Sequence, residues 1–359
     1  MGRTRARMRC AAMIGPAGTR NWKGRTKMSD AGYMLPVVTK SYPYISLTAA
    51  IVDKTSPLRA YFDKRFPNRA TLQATYRASS GELLVPAGSS NPGTLGAAFD
   101  VLVRLTLDPT RVPNVAVLGF IESPEAIASV RLAIEAGAAA AADCRHRPAA
   151  EVVLRSAWAA ALCIEVYRTG LVMPGSPLSA LNAARFTPEA LLELADDDAL
   201  HQLGALHELA QERLYPHLRD HPESVRLGPT FEGSYLCAAD ADAIVDGRLI
   251  EIKARLGAKS KAGVRSDGLS LEDIYQLLGY ALFDRLNEYA IESLGFYSAR
   301  YGTWRAWELP DFVSELAGGD VDLAYERACV WRLLGGADDD PPRRRPAASR
   351  DKSAGARRG

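Results

Sequence analysis

The chain has 359 residues, enough for one large domain or two, with 47% hydrophobic and 24% charged residues and no apolar run as long as a membrane span. The net charge of +2 hides an uneven distribution: eight Lys or Arg and no acid in residues 1–27, +6 in residues 343–359, and therefore −12 in the body between them. An acidic body excludes a globally basic nucleic-acid binder, so any phosphate contact must use a local basic patch or the tails.

Residues 1–33 read as a disordered basic arm, with Met28 an alternative start. Their Cys10–Ile14 apolar patch is too short for a secretory signal. Residues 34–194 read as a mostly helical region. A helical stretch covers 45–77, where Ser56-Pro57 opens a segment carrying Leu58, Tyr61, Phe62 and Phe66. A Gly/Ser/Pro loop follows at 79–92, with a short strand expected at Leu83–Val85. A clear helix runs from Thr94 to Leu107, with Leu95, Ala98, Phe99 and Leu102 on its apolar stripe. Further helices are expected at Pro124–Ala142, Ala149–Tyr167 and Pro188–Leu214. Their Leu/Ala spacing predicts packing rather than chemistry, and this half is the candidate surface for a protein partner. Glu208 and Glu212, one turn apart, read as a solvated face.

The five cysteines (Cys10, Cys144, Cys163, Cys237, Cys329) are scattered, with no Cys-x-x-Cys. That pattern fits a reducing, cytoplasmic setting and gives no zinc knuckle. The five histidines show no metal-site spacing.

At residue 225 the pattern changes to strand, hairpin, helix and strand. The stretch Asp240–Lys253 reads as a β-hairpin about Asp246-Gly247, the dipeptide that favours a two-residue turn. That turn sets Val245 opposite Arg248, Ile244 opposite Leu249, Ala243 opposite Ile250, Asp242 opposite Glu251, and Asp240 opposite Lys253. With period-two alternation, Asp240, Asp242, Glu251 and Lys253 share one face, and Ala241, Val245, Ile250 and Ile252 the other. Two carboxylates about 5 Å apart repel. A divalent cation between them relieves the repulsion, and Mg²⁺ accepts one or two carboxylates while keeping positions for water and phosphate oxygens. A solvated hairpin face is the alternative. The apolar Ile250 and Ile252 around Glu251 favour a central strand, where a charge needs a reason.

Downstream, residues 255–265 carry Arg255, Lys259, Lys261 and Arg265 and no acid, the local basic patch expected to meet phosphates. Ser270 caps a helix reaching about Arg285, with Asp273 three residues on. Asp273, Gln276 and Tyr280 form its polar stripe. Strands are expected at Ile291–Ala299 and Thr303–Leu309, whose aromatic residues read as buried. From Gly335 the chain reads as a disordered basic tail (335–359).

Asp242 before the hairpin strand, Glu251-Ile252-Lys253 on it, and Gln276-Leu277-Leu278-Gly279-Tyr280 on the next helix resemble the PD-(D/E)xK nuclease superfamily, in its RecB-like branch. The resemblance covers roughly 195–310. It implies an α/β fold with a restriction-endonuclease-like αβββαβ core and a mixed sheet over 195–334, preceded by the helical half. It implies a nuclease that hydrolyses phosphodiester bonds with Mg²⁺ or Mn²⁺, DNA being the expected substrate, in defence or repair. Asp242 and Glu251 would be ligands and Lys253 would position or activate the water, with Gln276 and Tyr280 ordering the site. Asp240 is the alternate ligand. Gly96-Ala97-Ala98-Phe99-Asp100 is similar to that branch's Gly-x-x-x-His helix, with Asp100 in the ligand position. A binding module of the same shape without catalysis, or a structural subunit, are the competing classes.

Overall fold

The computed structural model describes residues 42–110, 113–141, 150–219 and 224–337. The basic arm, the tail beyond 337, and Cys10, Cys144, His146 and His221 lie outside them. The structure is mixed α/β. Helices α1 (Leu47–Val52), α2 (Pro57–Arg65) and α3 (Ala70–Ser79) come first, followed by α4 (Pro92–Leu107), α5 (Val115–Leu118), α6 (Pro124–Ala141), α7 (Glu151–Thr169), α8 (Pro188–Leu192), α9 (Asp197–Arg213) and α10 (Pro216–Arg219). Strands β1 (Arg226–Leu227), β2 (Ala243–Val245) and β3 (Arg248–Lys253) lead to a small pair, β4 (Ala258–Lys259) and β5 (Arg265–Ser266). Then come α11 (Leu271–Phe283), β6 (Ser293–Ser298), β7 (Thr303–Glu308), α12 (Leu309–Ala317) and α13 (Leu323–Leu333).

The main sheet has the order β1-β2-β3-β6-β7, with β3 central. β3 runs parallel to β6 and antiparallel to β2, and β7 returns antiparallel to β6. Its helices cover both faces, and the alternation of side chains along the strands sorts two cores. Ala243, Val245, Ile250, Tyr297 and Ala299 join α4, α6, α7 and α9 on one face. Ile244, Leu249, Leu294, Phe296 and Trp307 join α1, α2, α3, α11, α12 and α13 on the other. Residues on both sides of position 194 share the first core, and the earliest helices lie across the sheet from α4–α9.

Local chemistry explains most helix ends. Asn91 accepts from the N–H groups of Gly93 and Thr94 with Pro92 in the first turn, so α4 starts before the expected Thr94. The stretch expected as one helix over Pro188–Leu214 is two, because Asp196 caps a new start by accepting from the Ala199 N–H. Ser270 and Asp273 form the expected capping box of α11. Leu83–Val85 is not a strand. The N–H groups of Leu84 and Val85 both reach the Arg300 carbonyl at 3.0 Å, so this segment is held by a single carbonyl rather than a ladder.

Arg300, 1% exposed in the β6–β7 turn, fastens that segment in return. Its guanidinium donates to the carbonyls of Val85 (3.0 Å), Pro86 (2.8 Å) and Ala254 (2.9 Å) and to Gln202 Oε1 (2.9 Å) on α9. It thus ties the loop before α4 and the helix α9 to the end of β3. Burial among neutral acceptors lowers its pKa. Arg300→Met keeps the bulk but strands two buried acceptors, the Val85 carbonyl and Gln202 Oε1, and two part-buried ones, and is expected to cost about 3 kcal/mol in urea unfolding. A loss below about 1 kcal/mol would show that water replaces the guanidinium at little cost.

Candidate functional site

The hairpin adopts the register set by its turn, Val245↔Arg248, Ile244↔Leu249 and Ala243↔Ile250. Asp246 (φ 48°) and Gly247 (φ 72°) take the two left-handed positions that such a tight turn needs. The ladder then ends earlier than the sequence suggests. Asp240 does not pair with Lys253; it bridges to Thr230, and the Ala241 N–H donates to the Pro229 carbonyl at 3.1 Å. Ala241 accordingly packs in the second core rather than with Ile250 and Val245. The Ile252 N–H, which the next ladder pair would have satisfied, instead donates to Asp242 Oδ2 at 2.6 Å. A carboxylate has replaced a backbone acceptor, and this fixes it beside Glu251.

Glu251 is 2% exposed in the central strand. Lys253 Nζ donates to Glu251 Oε1 and, at 3.0 Å, to Gln276 Oε1 on α11. Gln276 Nε2 donates in turn to the Tyr280 hydroxyl. Tyr280, 3% exposed, stacks on Phe231 with centroids 5.7 Å apart. Glu251 Oε2 is buried with no hydrogen-bond partner. These groups gather at the carboxyl end of β3, between its antiparallel neighbour β2 and its parallel neighbour β6.

Asp100 on α4 reaches the same region, but its two oxygens accept from Arg104 Nε at 3.0 Å each. Arg104 Nη2 lies 3.9 Å from Asp242 Oδ1. Spacing four apart on a helix was the one sequence signal for Arg104, which sequence reasoning missed. Asp240 is exposed, yet its charge reaches both Arg104 and Tyr280.

The electrostatics are those of crowded, desolvated charge. Burial, then the charges of Glu251 and Asp100, hold the Asp242 carboxyl well above the usual range, against Lys253 and Arg104. Burial likewise raises Glu251, opposed by Lys253. For Lys253 burial works against the ammonium, but Glu251 and Asp242 outweigh it and its pKa is raised. Burial leads the causes that push the Tyr280 phenol well above its ordinary value, followed by the nearby carboxylates.

The basic segment divides. Arg255 is committed internally: it forks onto Asp273, with Nη1 2.7 Å from Oδ1, and also reaches the Gly268 carbonyl at 2.7 Å. The phosphate role expected for Arg255 is therefore taken by a carboxylate, because the helix-capping Asp273 is brought under it by the β4–β5 excursion. Lys259 and Lys261 are exposed on that hairpin, and Arg265 is partly exposed, donating to the Gly257 carbonyl at 3.1 Å. Trp304 stacks on His217 with centroids 4.4 Å apart, while Tyr297, Tyr301 and Trp307 are buried. Glu208 and Glu212 are exposed on α9. Burial pushes the thiols of Cys163 and Cys237 up to about 12, which removes them as nucleophiles.

Among the described residues, no three His, Cys, Asp or Glu side chains converge closely enough to hold a metal ion by themselves. The two-carboxylate set of Asp242 and Glu251 is nevertheless compatible with Mg²⁺ or Mn²⁺, which take oxygen ligands and fill the remaining positions with water and phosphate. The orphaned Glu251 Oε2 is a lone-pair oxygen that such an ion would satisfy. No helix among the described residues is long and apolar enough to cross a membrane. No protein family, curated protein or solved structure matches the chain.

A carboxyl whose pKa is raised in the fold keeps a proton that the unfolded chain releases, so its contribution favours folding below the unfolded pKa and is lost as pH rises through the folded one. Asp242→Asn keeps an acceptor for the Ile252 N–H and removes that penalty. In chelator, the variant is expected to gain about 0.5–2 kcal/mol at pH 8. The gain should fade toward the unfolded carboxylate pKa of about 4. Urea melts across pH check it; a loss of stability at pH 8 would mean that the ion pair with Arg104 outweighs burial.

Proposed function

We propose that the protein is a metal-dependent nuclease of the PD-(D/E)xK type, hydrolysing phosphodiester bonds of nucleic acid, DNA first. The observation that carries this reading is the chain of contacts Glu251, Lys253, Gln276, Tyr280 at the carboxyl end of the central strand, with Asp242 held on the adjoining Ile252 N–H. Five residues spread over 39 positions of sequence meet in one desolvated cluster, two of them carboxylates whose repulsion has no structural benefit. The element order α9, β1, β2, β3, α11, β6, with β3 and β6 parallel, is the order expected of a restriction-endonuclease-like core.

The chemistry follows from the side chains. A water oxygen attacks phosphorus, the bond to the leaving alkoxide breaks, and the water's proton is released as the alkoxide gains one. Asp242 and Glu251 would hold Mg²⁺ or Mn²⁺, which when bound supplies Lewis acidity toward the phosphate oxygens. Lys253 sits beside Glu251 with an ammonium that can orient the water or hydrogen-bond the phosphate. Gln276 fixes that ammonium from the α11 side, and Tyr280 fixes Gln276. The Asp242 bond to the Ile252 N–H keeps one oxygen on the backbone and leaves the other, Oδ1, for the cleft. Lys259, Lys261 and Arg265 on the β4–β5 hairpin would meet the strand's phosphates.

A second reading, a nucleic-acid-binding module without catalysis, draws on the absence of a three-ligand cluster among the described residues. Plasmid cleavage with and without Mg²⁺ separates the two. Glu251→Ala and Lys253→Ala are both expected to abolish cleavage, by 100-fold or more on the order of a lost catalytic group. Calorimetric titration with Mn²⁺ should divide them, binding being lost in the first and kept in the second. Cleavage and normal Mn²⁺ binding by Glu251→Ala would remove the nuclease reading.

Neutralising Lys259, Lys261 and Arg265 together is expected to flatten the salt dependence of nucleic-acid binding, each lost phosphate contact lowering the log–log slope by about 0.7–0.9. An unchanged slope would assign the β4–β5 hairpin to solubility alone.

A further inference from the structure

Arg104 has no task in the hydrolytic scheme, yet it stands beside Asp242. It stands on α4 one turn beyond Asp100, donating Nε to both Asp100 oxygens at 3.0 Å, with Nη2 3.9 Å from Asp242 Oδ1. The backbone is shaped around it. Gly228 (φ 59°) lies behind the guanidinium, and a Cβ at that position would fall 2.4 Å from Nη1. The Gly228 N–H donates to the Asp242 carbonyl at 3.0 Å, so the segment that makes room for Arg104 is also bonded to the carboxylate's own residue.

Carboxyl groups outnumber cationic ones here: Asp100, Asp240, Asp242 and Glu251 face Arg104 and Lys253. Independently, Glu251 is 2% exposed and its Oε2 has no partner. Lys253 therefore answers one oxygen of Glu251 and leaves Oε2 unanswered, while a guanidinium approaches the Asp242 oxygen that a metal would use.

We propose that Arg104 is a displaceable counter-ion that becomes a phosphate anchor. Without a divalent cation it partly neutralises Asp242. With a cation held by Asp242 and Glu251, repulsion would move the guanidinium off Oδ1, while Asp100 would keep it tethered beside the site. There its free nitrogens form a planar fork suited to a phosphodiester. Arg104 is a positioning residue for the strand, and its role rests on the nuclease reading.

The two halves of this role have opposite signs, which a merely structural arginine cannot reproduce. Removing the competitor tightens metal binding, whereas removing the anchor weakens strand binding. Structural damage weakens both. The test uses the full chain and its Arg104→Gln and Arg104→Lys variants, with Mn²⁺ affinity by calorimetry. Affinity for labelled single-stranded DNA and RNA oligonucleotides is read by anisotropy in Ca²⁺. Arg104→Gln is expected to bind Mn²⁺ about tenfold more tightly. It should bind the preferred oligonucleotide about tenfold or more weakly, the loss of a charge-assisted hydrogen bond. Arg104→Lys keeps the charge without the fork, so both changes should appear with the same signs at smaller size. It carries the test if the glutamine variant does not fold.

Unchanged or weaker Mn²⁺ binding in both variants, or unchanged oligonucleotide affinity, overturns the proposal. If wild type binds Mn²⁺ through Glu251 and the Arg104 variants do not differ from it, this inference alone fails. If neither wild type nor the variants bind Mn²⁺, the nuclease reading fails and takes this one with it.

Discussion

The amide of Ile252 needs an acceptor, and the way it finds one organises the site. A buried N–H cannot be left unpaired without a cost of about 1–3 kcal/mol. The chain that would have answered it turns away, since the Ala241 N–H goes to the Pro229 carbonyl. Asp242 fills the gap with a side-chain oxygen at 2.6 Å. Once so bound, the carboxylate cannot swing into water to escape Glu251. The repulsion is locked in, and the surrounding cations are those that such a locked pair collects: Lys253 from the same strand and Arg104 from α4. Gln276 and Tyr280 then complete a polar path along a helix that is otherwise core from Ile274 to Phe283.

The sheet divides the molecule into two cores and brings the groups together from both sides of it. Asp100 and Arg104 come from a helix of one core, Gln276 and Tyr280 from a helix of the other, and Asp242 and Glu251 from the partition itself. The site's geometry therefore depends on how firmly each layer is held to the end of β3. For the layer of α4 and α9, Arg300 does this with four bonds to neutral acceptors. A carboxylate partner there would have held one point strongly; carbonyls from separate segments hold several at once.

Period-two alternation and an Asp-Gly turn made the hairpin register legible, because both are properties of adjacent residues. The capping box at Ser270 and the polar stripe on α11 were legible for the same reason. The early end of the ladder was not, since it follows from the contact between Ala241 and Pro229, twelve positions apart and carrying no local signal. Arg255 looked like a phosphate ligand because sequence shows its cationic neighbours and not Asp273, which the fold carries beneath it. The nearness of Asp100 to the hairpin was visible only through resemblance; its partner Arg104 was open to reading from the four-residue spacing alone. Helices α12 and α13 passed unread, although Phe312, Val313 and Leu316 are core residues.

The two cores differ in how far apart in the chain their parts are made. The layer of α4 to α10 closes largely on itself over residues 92–219, so most of its contacts are available as soon as that stretch exists. The opposite layer joins α2 to α13, where Arg65 Nε reaches Glu326 Oε1 at 2.7 Å and Tyr61 donates to the same carboxylate, across more than 260 residues. Loop closure over such a span is entropically slow relative to local helix packing. During synthesis, Phe62 and Tyr76 stay uncovered until Tyr275 of α11 and Phe296 of β6, which pack on them, have emerged. The face on which Lys253 meets Gln276 thus closes later than the layer of α4 to α10.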